Sequence, residues 1–463
     1  MCMCWMRLCL RWRWKIMKVN PWWKSLQQKS NLKIPSAGIY HFVNQTENNK
    51  NRVHLRVEQD GAGLLMINAA RAYHLNPSAT SMAFWSLSGN KESEIVHSLK
   101  KLFQVDHLNA SSDTTNFLDS FNKIIDPAEQ CPICELDLDI DLPFSHTPTA
   151  PYRMDLAITY RCNNDCTHCY NARNRQFPEL STNEWYRIID KLWDLGIPHL
   201  VFTGGEPTLR SDLPNLITYA EKKGQITGIN TNGRKLADRS FLNSLVDAGL
   251  DHIQITLESS DPEIHDQMVN RTGAWQQTIS GIRNAVSEKI YFMTNTTMLA
   301  TNVETIPQTL DLLAELMVPT VGLNALIYSG KGKNVGTGLE EKDLSNLLEI
   351  AKKKTNLNNQ KIIWYTPTEY CNFNPISNDL GVKGCTAALY NMCIEPDGSV
   401  LPCQSYYQSL GNILSDSWVS IWDHSLSRQL RERNNLPTKC NNCDLVNECG
   451  GGCPLIHITE EAF

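Results

Sequence analysis

The 463-residue sequence has no run of 18 apolar residues, which excludes an ordinary transmembrane helix. It also lacks a strong charge of either sign. Lys and Arg number 43 against 49 Asp and Glu, and the net charge of -6 gives no reason to expect general nucleic-acid affinity. A secretory signal is missing as well: Arg and Lys interrupt the opening MCMCWMRLCLRWRWKIM, and no small-residue cleavage site follows. That opening reads unlike folded sequence, either as a membrane-surface anchor or as irregular chain ahead of a true start at Met17. Cys2, Cys4 and Cys9 are therefore set aside. The remainder is globular in composition, with 41% hydrophobic and 20% charged residues, and its length suits roughly two to four domains.

Cysteine is abundant, at 16 residues. With no export signal, thiolate ligands in a reducing cytoplasm are the better assignment than disulfides. Residues 1–49 are expected to be irregular. Residues 50–125 form a small α+β unit: Val53–Val57 and Leu64–Asn68 alternate like paired strands, and helices are predicted over Ser78–Leu87, Ser93–Phe103 and from a Ser112 or Asp113 cap to Ile125. This pattern is winged-helix-like. Residues 126–150 are acidic, Pro-bearing and aperiodic, as in a linker, and carry the weak CxxC pair Cys131 and Cys134.

From 151 to 354 strands and helices alternate, beginning with Asp155–Tyr160 and a helix near Thr182–Leu195 and ending with Thr320–Leu326 and Glu341–Lys353. Strands joined by helices run parallel, and six such units curve into a partial (β/α)6 TIM-like barrel with ligands at the strand carboxyl ends. Residues 355–463 are loop-rich and hold eight cysteines, so this segment is expected to need metal to fold.

The loop after the first barrel strand reads Cys162-x3-Cys166-x2-Cys169, and about 0.02 such triplets are expected by chance. Three thiolates on a short loop can hold three irons of a [4Fe–4S] cube and leave one open; a zinc site with a distant fourth ligand is the alternative. After strand two comes Gly204-Gly205-Glu206-Pro207, whose glycines allow close backbone approach to a ligand. Asn232, Thr256, Glu258 and Asn295 stand at the next strand ends. Each alone reads as a strand-end cap, whereas together they fit one cofactor pocket.

These features resemble the radical SAM superfamily over about 154–330. The resemblance implies that Cys162, Cys166 and Cys169 bind a [4Fe–4S] cluster whose open iron takes S-adenosylmethionine. Its reductive cleavage would yield a 5′-deoxyadenosyl radical. It further implies that Gly204, Gly205, Glu206, Pro207, Asn232, Thr256, Glu258 and Asn295 bind the cofactor. Family strand four often carries Ser-Leu-Asp where this chain has Thr256-Leu257-Glu258, which leaves the individual contacts there open.

In the tail, Cys385 is followed by Gly398 and Cys403, then by Cys440-x2-Cys443-x5-Cys449-x3-Cys453. This is similar to the SPASM domain, an auxiliary-cluster extension of maturases, and implies one or two further [4Fe–4S] clusters. By that resemblance Cys385, Cys403 and Cys453 serve the first, Cys371 being a further candidate for it, and Cys440, Cys443 and Cys449 serve the second. The family's last cysteine is missing before Phe463. Substitution by Cys393, an open iron, a non-Cys ligand and truncation are the alternatives. A zinc ribbon is a further reading of Cys440–Cys453.

The 50–125 segment, with DGAGLLMINAARAYHLNPSA, resembles the PqqD-like peptide-binding chaperones of pyrroloquinoline-quinone maturation. This implies that the leader of a ribosomally made precursor peptide adds to a sheet edge. Few Lys or Arg lie on the recognition helix expected of a DNA-binding winged helix, which disfavours nucleic acid. The whole reads as a peptide maturase, an oxidoreductase fed by an external donor such as flavodoxin or ferredoxin. A radical enzyme of tetrapyrrole side chains and a zinc-binding nucleic-acid or structural protein are the alternatives.

Overall fold

The computed structural model describes residues 32–45, 50–68, 71–125, 148–171, 173–288, 290–434 and 436–457. The expectations for the basic opening, and for most of the linker with Cys131 and Cys134, lie outside these residues. The chain divides into two compact units at Asp141/Leu142.

In the first unit β1 (Gly38–Gln45), β2 (Lys50–Val57), β3 (Gly63–Ile67) and β4 (Arg71–Leu75) form an antiparallel sheet in that order. Helices α1 (Pro77–Leu87), α2 (Glu92–Phe103) and α3 (His107–Ile125) follow. Asn76 caps α1 by accepting from the Ala79 amide, and Pro77 sits at the first turn, where its missing N–H costs nothing. Val53, Leu55, Leu65, Trp85 and Phe121 meet in one core.

Two boundaries differ from the sequence expectation. Residues 38–45, assigned to the irregular opening, pair with β2 in the register Gly38↔Val57, because Ile39-Tyr40-His41-Phe42-Val43 is rich in strand-forming residues. Helix α3 starts five residues ahead of Ser112, because Asp106 accepts from the Leu108 and Asn109 amides and caps it there.

The second unit holds β5 (Arg153–Thr159), α4 (Thr182–Asp194), β6 (His199–Gly204), α5 (Leu213–Lys223), β7 (Ile226–Thr231), α6 (Arg239–Asp247) and β8 (His252–Thr256). It continues with α7 (Pro262–Met268), α8 (Ala274–Val286), β9 (Tyr291–Thr297), α9 (Ile306–Glu315), β10 (Thr320–Asn324) and α10 (Leu344–Leu357). Strands β5 to β10 run parallel in sequence order, the expected six-unit partial barrel. Ser181 and Glu184 form a capping box on α4, and Trp185, Ile188, Ile189 and Leu192 face the sheet with no exposure. Each such large apolar side chain contributes roughly 1.5–3 kcal/mol by leaving water.

The tail is loop-rich, as expected, and its short strands join the barrel sheet. Strand β11 (Lys361–Trp364) pairs with β10, and β12 (Asn391–Ile394) pairs with β5, both in parallel; β13 (Val400–Leu401) lies antiparallel to β12. The result is a 9-stranded sheet with tail strands at both edges. Strands of four residues are too short for a period to declare them. Short helices α11 (Trp418–Trp422), α12 (Ser425–Arg431) and α13 (Val446–Cys449) complete the unit. Among the described residues no helix is long and apolar enough to cross a membrane.

Candidate active site

At the carboxyl ends of the parallel strands lies a cavity of about 590 Å³. The loop after β5 places Cys162, Cys166 and Cys169 on its wall. That loop is tied down from several sides. Asn232 Nδ2 donates to Asn163 Oδ1 at 2.6 Å, and Arg234 donates to the Asn163 carbonyl and, at 2.8 Å, to Asn164 Oδ1. His168 Nε2 bonds Glu258 Oε1 at 2.9 Å, while Arg175 reaches the Cys162 carbonyl at 2.8 Å. Burial pushes all three thiols up. For Cys166 the neighbouring charges of Cys169, Glu258 and Cys162 add to it.

Gly204 and Gly205 also line the cavity, as the sequence predicts, but their need for glycine has another cause than ligand approach. A Cβ on Gly204 would lie 2.1 Å from the Thr159 carbonyl oxygen, and one on Gly205 would lie 2.4 Å from that of Arg161. The turn is therefore packed against the stem of the cysteine loop. The Gly205 and Glu206 amides donate to the Thr159 and Arg161 carbonyls, each at 2.8 Å. Gly204 also has φ +129°, which a side chain rarely tolerates.

Glu206 and Pro207, expected to touch the cofactor, lie behind this wall. The Glu206 carboxylate is 1% exposed and accepts from Thr208 Oγ1 and Thr231 Oγ1 at 2.6 Å and from the Asn232 amide at 2.8 Å. Burial raises its pKa and these bonds oppose the shift. It clamps the turn to the end of β7. Asn232, Thr256, Glu258 and Asn295 do line the cavity, but Glu258 is already engaged, accepting from His168 and, at 3.0 Å, from the Thr297 amide. Asn295 Oδ1 is buried with no hydrogen-bond partner among the described residues. Sequence reasoning missed His168, Arg234 and Arg175; the only signal was their closeness to the cysteines and to the β7 end.

Cys385, Cys403 and Cys453 stand on the wall of the same cavity. Burial raises all three thiols, that of Cys403 to about 12, and the charge of Cys385 adds to the shifts of the other two. Cys371 is not on this wall. It is exposed two residues after Glu369, whose carboxylate bonds Lys439, the neighbour of Cys440, at 2.6 Å. Cys393 does not join Cys440, Cys443 and Cys449 either: it is fully buried on β12, packed with Ala157, Tyr160 and Leu401. Among the described residues no group of three or more His, Cys, Asp or Glu is arranged to hold a single metal ion.

Residues 156–321 match the radical SAM superfamily, and residues 385–444 match an iron–sulfur cluster-binding domain, SPASM. The chain carries a radical SAM domain and a SPASM domain. It is 29% identical to the Fe-coproporphyrin III synthase of Methanosarcina barkeri over 64% of this chain and 81% of that protein. It is 28% identical to the PqqA peptide cyclase of Rhizobium meliloti over 65% and 82% respectively. The crystal structure of Streptococcus suis SuiB bound to S-adenosylmethionine superposes with a TM-score of 0.65 at 17% identity, covering 89% of this chain and 95% of that one. Native anSMEcpe with bound AdoMet gives 0.54 at 18%, covering 68% and 92%. At these identities the structures establish the shared fold.

A radical SAM domain works with a [4Fe–4S] cluster and S-adenosylmethionine, and the residues present suit both. The radical SAM loop offers three thiols on a cavity wall, spread rather than converging on one ion, and an iron centre's positive charge would reverse the shift that burial imposes on them. The unpartnered Asn295 Oδ1 and the polar groups of Asn230, Asn232 and Thr256 suit a ligand with ribose and amino-acid donors. Cys385, Cys403 and Cys453, lining the same cavity, suit a second iron–sulfur group.

Proposed function

We propose that this protein is a peptide maturase that reductively cleaves S-adenosylmethionine and uses the resulting radical chemistry on a ribosomally made precursor peptide. The observation that carries this reading is a single cavity walled by Cys162, Cys166 and Cys169 and by Cys385, Cys403 and Cys453. The bound cluster and S-adenosylmethionine supply one-electron reduction and hydrogen-atom abstraction, chemistry that no side chain performs. Cys162, Cys166 and Cys169 hold three irons, and the Arg175, Arg234 and His168 contacts fix their loop. Gly204 and Gly205 offer their backbone to the methionine moiety, Glu206 keeps that turn in place, and Asn232, Thr256 and Asn295 face the ribose and carboxylate.

Residues 32–125 are the leader-binding module, PqqD-like in sequence, with β1 and β4 as the edges to which an extended peptide adds. The likeness to the PqqA peptide cyclase supports a peptide substrate. Electrons come from an external donor of the flavodoxin or ferredoxin kind, and the thiolate sites suit the cytoplasm. A tetrapyrrole substrate is the second reading, favoured by the likeness to the Fe-coproporphyrin III synthase.

Anaerobically reconstituted protein is expected to form 5′-deoxyadenosine with a reductant, and Cys166→Ala to form none while keeping its tail iron. Mass spectrometry of a precursor peptide encoded nearby should show a changed mass. Colourless, zinc-loaded protein refutes the radical reading, and turnover of a porphyrin with no effect on the peptide selects the tetrapyrrole.

A further inference from the structure

The chain between β11 and β12 makes a tight turn at Glu369–Phe373, with the Asn372 and Phe373 amides donating to the Glu369 carbonyl at 2.8 and 2.9 Å. Cys371 sits exposed on this turn. The leading side of the turn, Thr368–Tyr370, is bound to the Cys440–Cys453 loop and the residues flanking it. The Tyr370 amide donates to Cys449 Sγ at 3.3 Å, and that sulfur lies 3.6 Å from the Thr368 carbonyl. Lys439, next to Cys440, bonds the Glu369 carboxylate at 2.6 Å, and His457 reaches the same carboxylate at 3.1 Å. Gly452 is packed so closely that a Cβ there would lie 3.1 Å from the Glu369 amide nitrogen. The turn thus rests on the cysteine loop.

We propose that Cys371 is the fourth thiolate of an auxiliary [4Fe–4S] cluster whose other ligands are Cys440, Cys443 and Cys449. The assignment rests on the iron–sulfur reading of the tail given above. Cys443 follows Cys440 in one turn, its amide bonded to the Cys440 carbonyl at 3.2 Å, so these two and Cys449 already share a short loop. Cys371 follows Tyr370, whose amide bonds Cys449 Sγ at 3.3 Å, and unlike Cys385 it is not on the cavity wall. Coordination gives the Cys371 proton to solvent, forms one Fe–S bond and changes no oxidation state. The Tyr370 amide then hydrogen-bonds a ligand sulfur, a contact of the kind that tunes cluster potential.

The consequence is a division of labour between the two tail groups. The surface group has four thiolates and its irons are closed to substrate. The cavity group keeps three, Cys385, Cys403 and Cys453.

The test uses full-length protein with Cys162, Cys166 and Cys169 replaced by Ala, so that only tail iron is read. Iron, sulfide, Mössbauer and EPR spectra are compared for this parent, for C371A and C371S, and for C443A. Far-UV circular dichroism monitors folding. C371A and C443A should show the same defect, either loss of one cluster or its conversion to the three-iron form, and the double variant should lose no more than either. C371S should retain iron with an altered midpoint potential, which separates ligation from packing. C371A spectra identical to the parent, beside a cluster lost in C443A, overturn the assignment alone. A parent that takes up no iron overturns the iron–sulfur reading of the tail as well.

Discussion

Gly205→Ala isolates the packing of the turn against the cysteine loop. Its Cβ would lie 2.4 Å from the Arg161 carbonyl oxygen and 2.5 Å from that of Tyr160. An ordinary carbon–oxygen contact is about 3.3 Å, so one of the two backbones must retreat by about 0.9 Å. That movement stretches the Gly205 and Glu206 amide bonds to Thr159 and Arg161, both 2.8 Å at rest. Losing them costs about 1 kcal/mol each, and overpacking adds about 1–3 kcal/mol. The expected total is about 3–5 kcal/mol, a large share of a domain's stability of roughly 5–15 kcal/mol. Gly336→Ala is the comparison: its φ is +70° but nothing lies within 4 Å, so only backbone strain of about 1–2 kcal/mol applies. Urea titration of cofactor-free protein by tryptophan fluorescence gives both values, and equilibrium dialysis of reconstituted protein gives S-adenosylmethionine affinity. Gly205→Ala should lose both stability and binding. The reasoning fails if it costs no more than Gly336→Ala and binds the cofactor normally.

Two further expectations concern polar groups. Glu258→Ala leaves His168 Nε2 and the Thr297 amide without their acceptor, at about 1–3 kcal/mol each, whereas Glu258→Gln keeps an acceptor oxygen and should cost less; equal melting temperatures for the two variants would contradict this. His252 is half-buried and its pKa is pushed from 6.5 down to about 4, first by desolvation and then by the Arg153 charge. The unfolded chain therefore binds this proton first, and stability present above pH 6.5 is lost as the pH falls toward 4, by up to about 3 kcal/mol. Denaturant titrations across that window should be flatter for His252→Gln, and parallel curves would exclude His252 as the source.

The radical SAM barrel was legible because its signals are local: strands are short apolar runs, helices such as α4, α6 and α7 have capped starts, and the two alternate. Helix α4 starts at Thr182 and strand β10 at Thr320, as expected, for that reason. Elements defined by partners rather than by their own pattern were not legible. Strand β12, with the residues Asn391-Met392-Cys393-Ile394, has no period of its own and exists because β5 offers an open edge. The site divides in the same way. The cysteines announced themselves by spacing, while Arg234 carries no motif until β7 brings it to the loop, and His168, on the loop itself, meets its partner Glu258 only at the end of β8. Glu206 shows the converse: a motif residue read as a ligand contact, which the fold uses as a clamp.

The pairing of β12 with β5 explains why two cysteine groups more than two hundred residues apart in sequence share one cavity. Strand β5 ends in the loop of Cys162, Cys166 and Cys169, and β12 runs beside it in the register Cys393↔Asp155, with Cys385 before it and Cys403 just after β13. A buried carboxylate locks this register: Glu395 is 1% exposed, takes both nitrogens of a bidentate Arg173 at 2.7 and 3.1 Å, and accepts from Tyr160 at 3.0 Å. Tyr170 adds a bond to Gln404 at 3.1 Å, and Ser329 one to the Ser405 carbonyl at 2.7 Å. The spacing between the two thiol groups is thus set by sheet geometry and not by a flexible linker. A substrate reaching both must enter the cavity between them, because the strands that carry them are bonded together and do not separate without breaking the sheet.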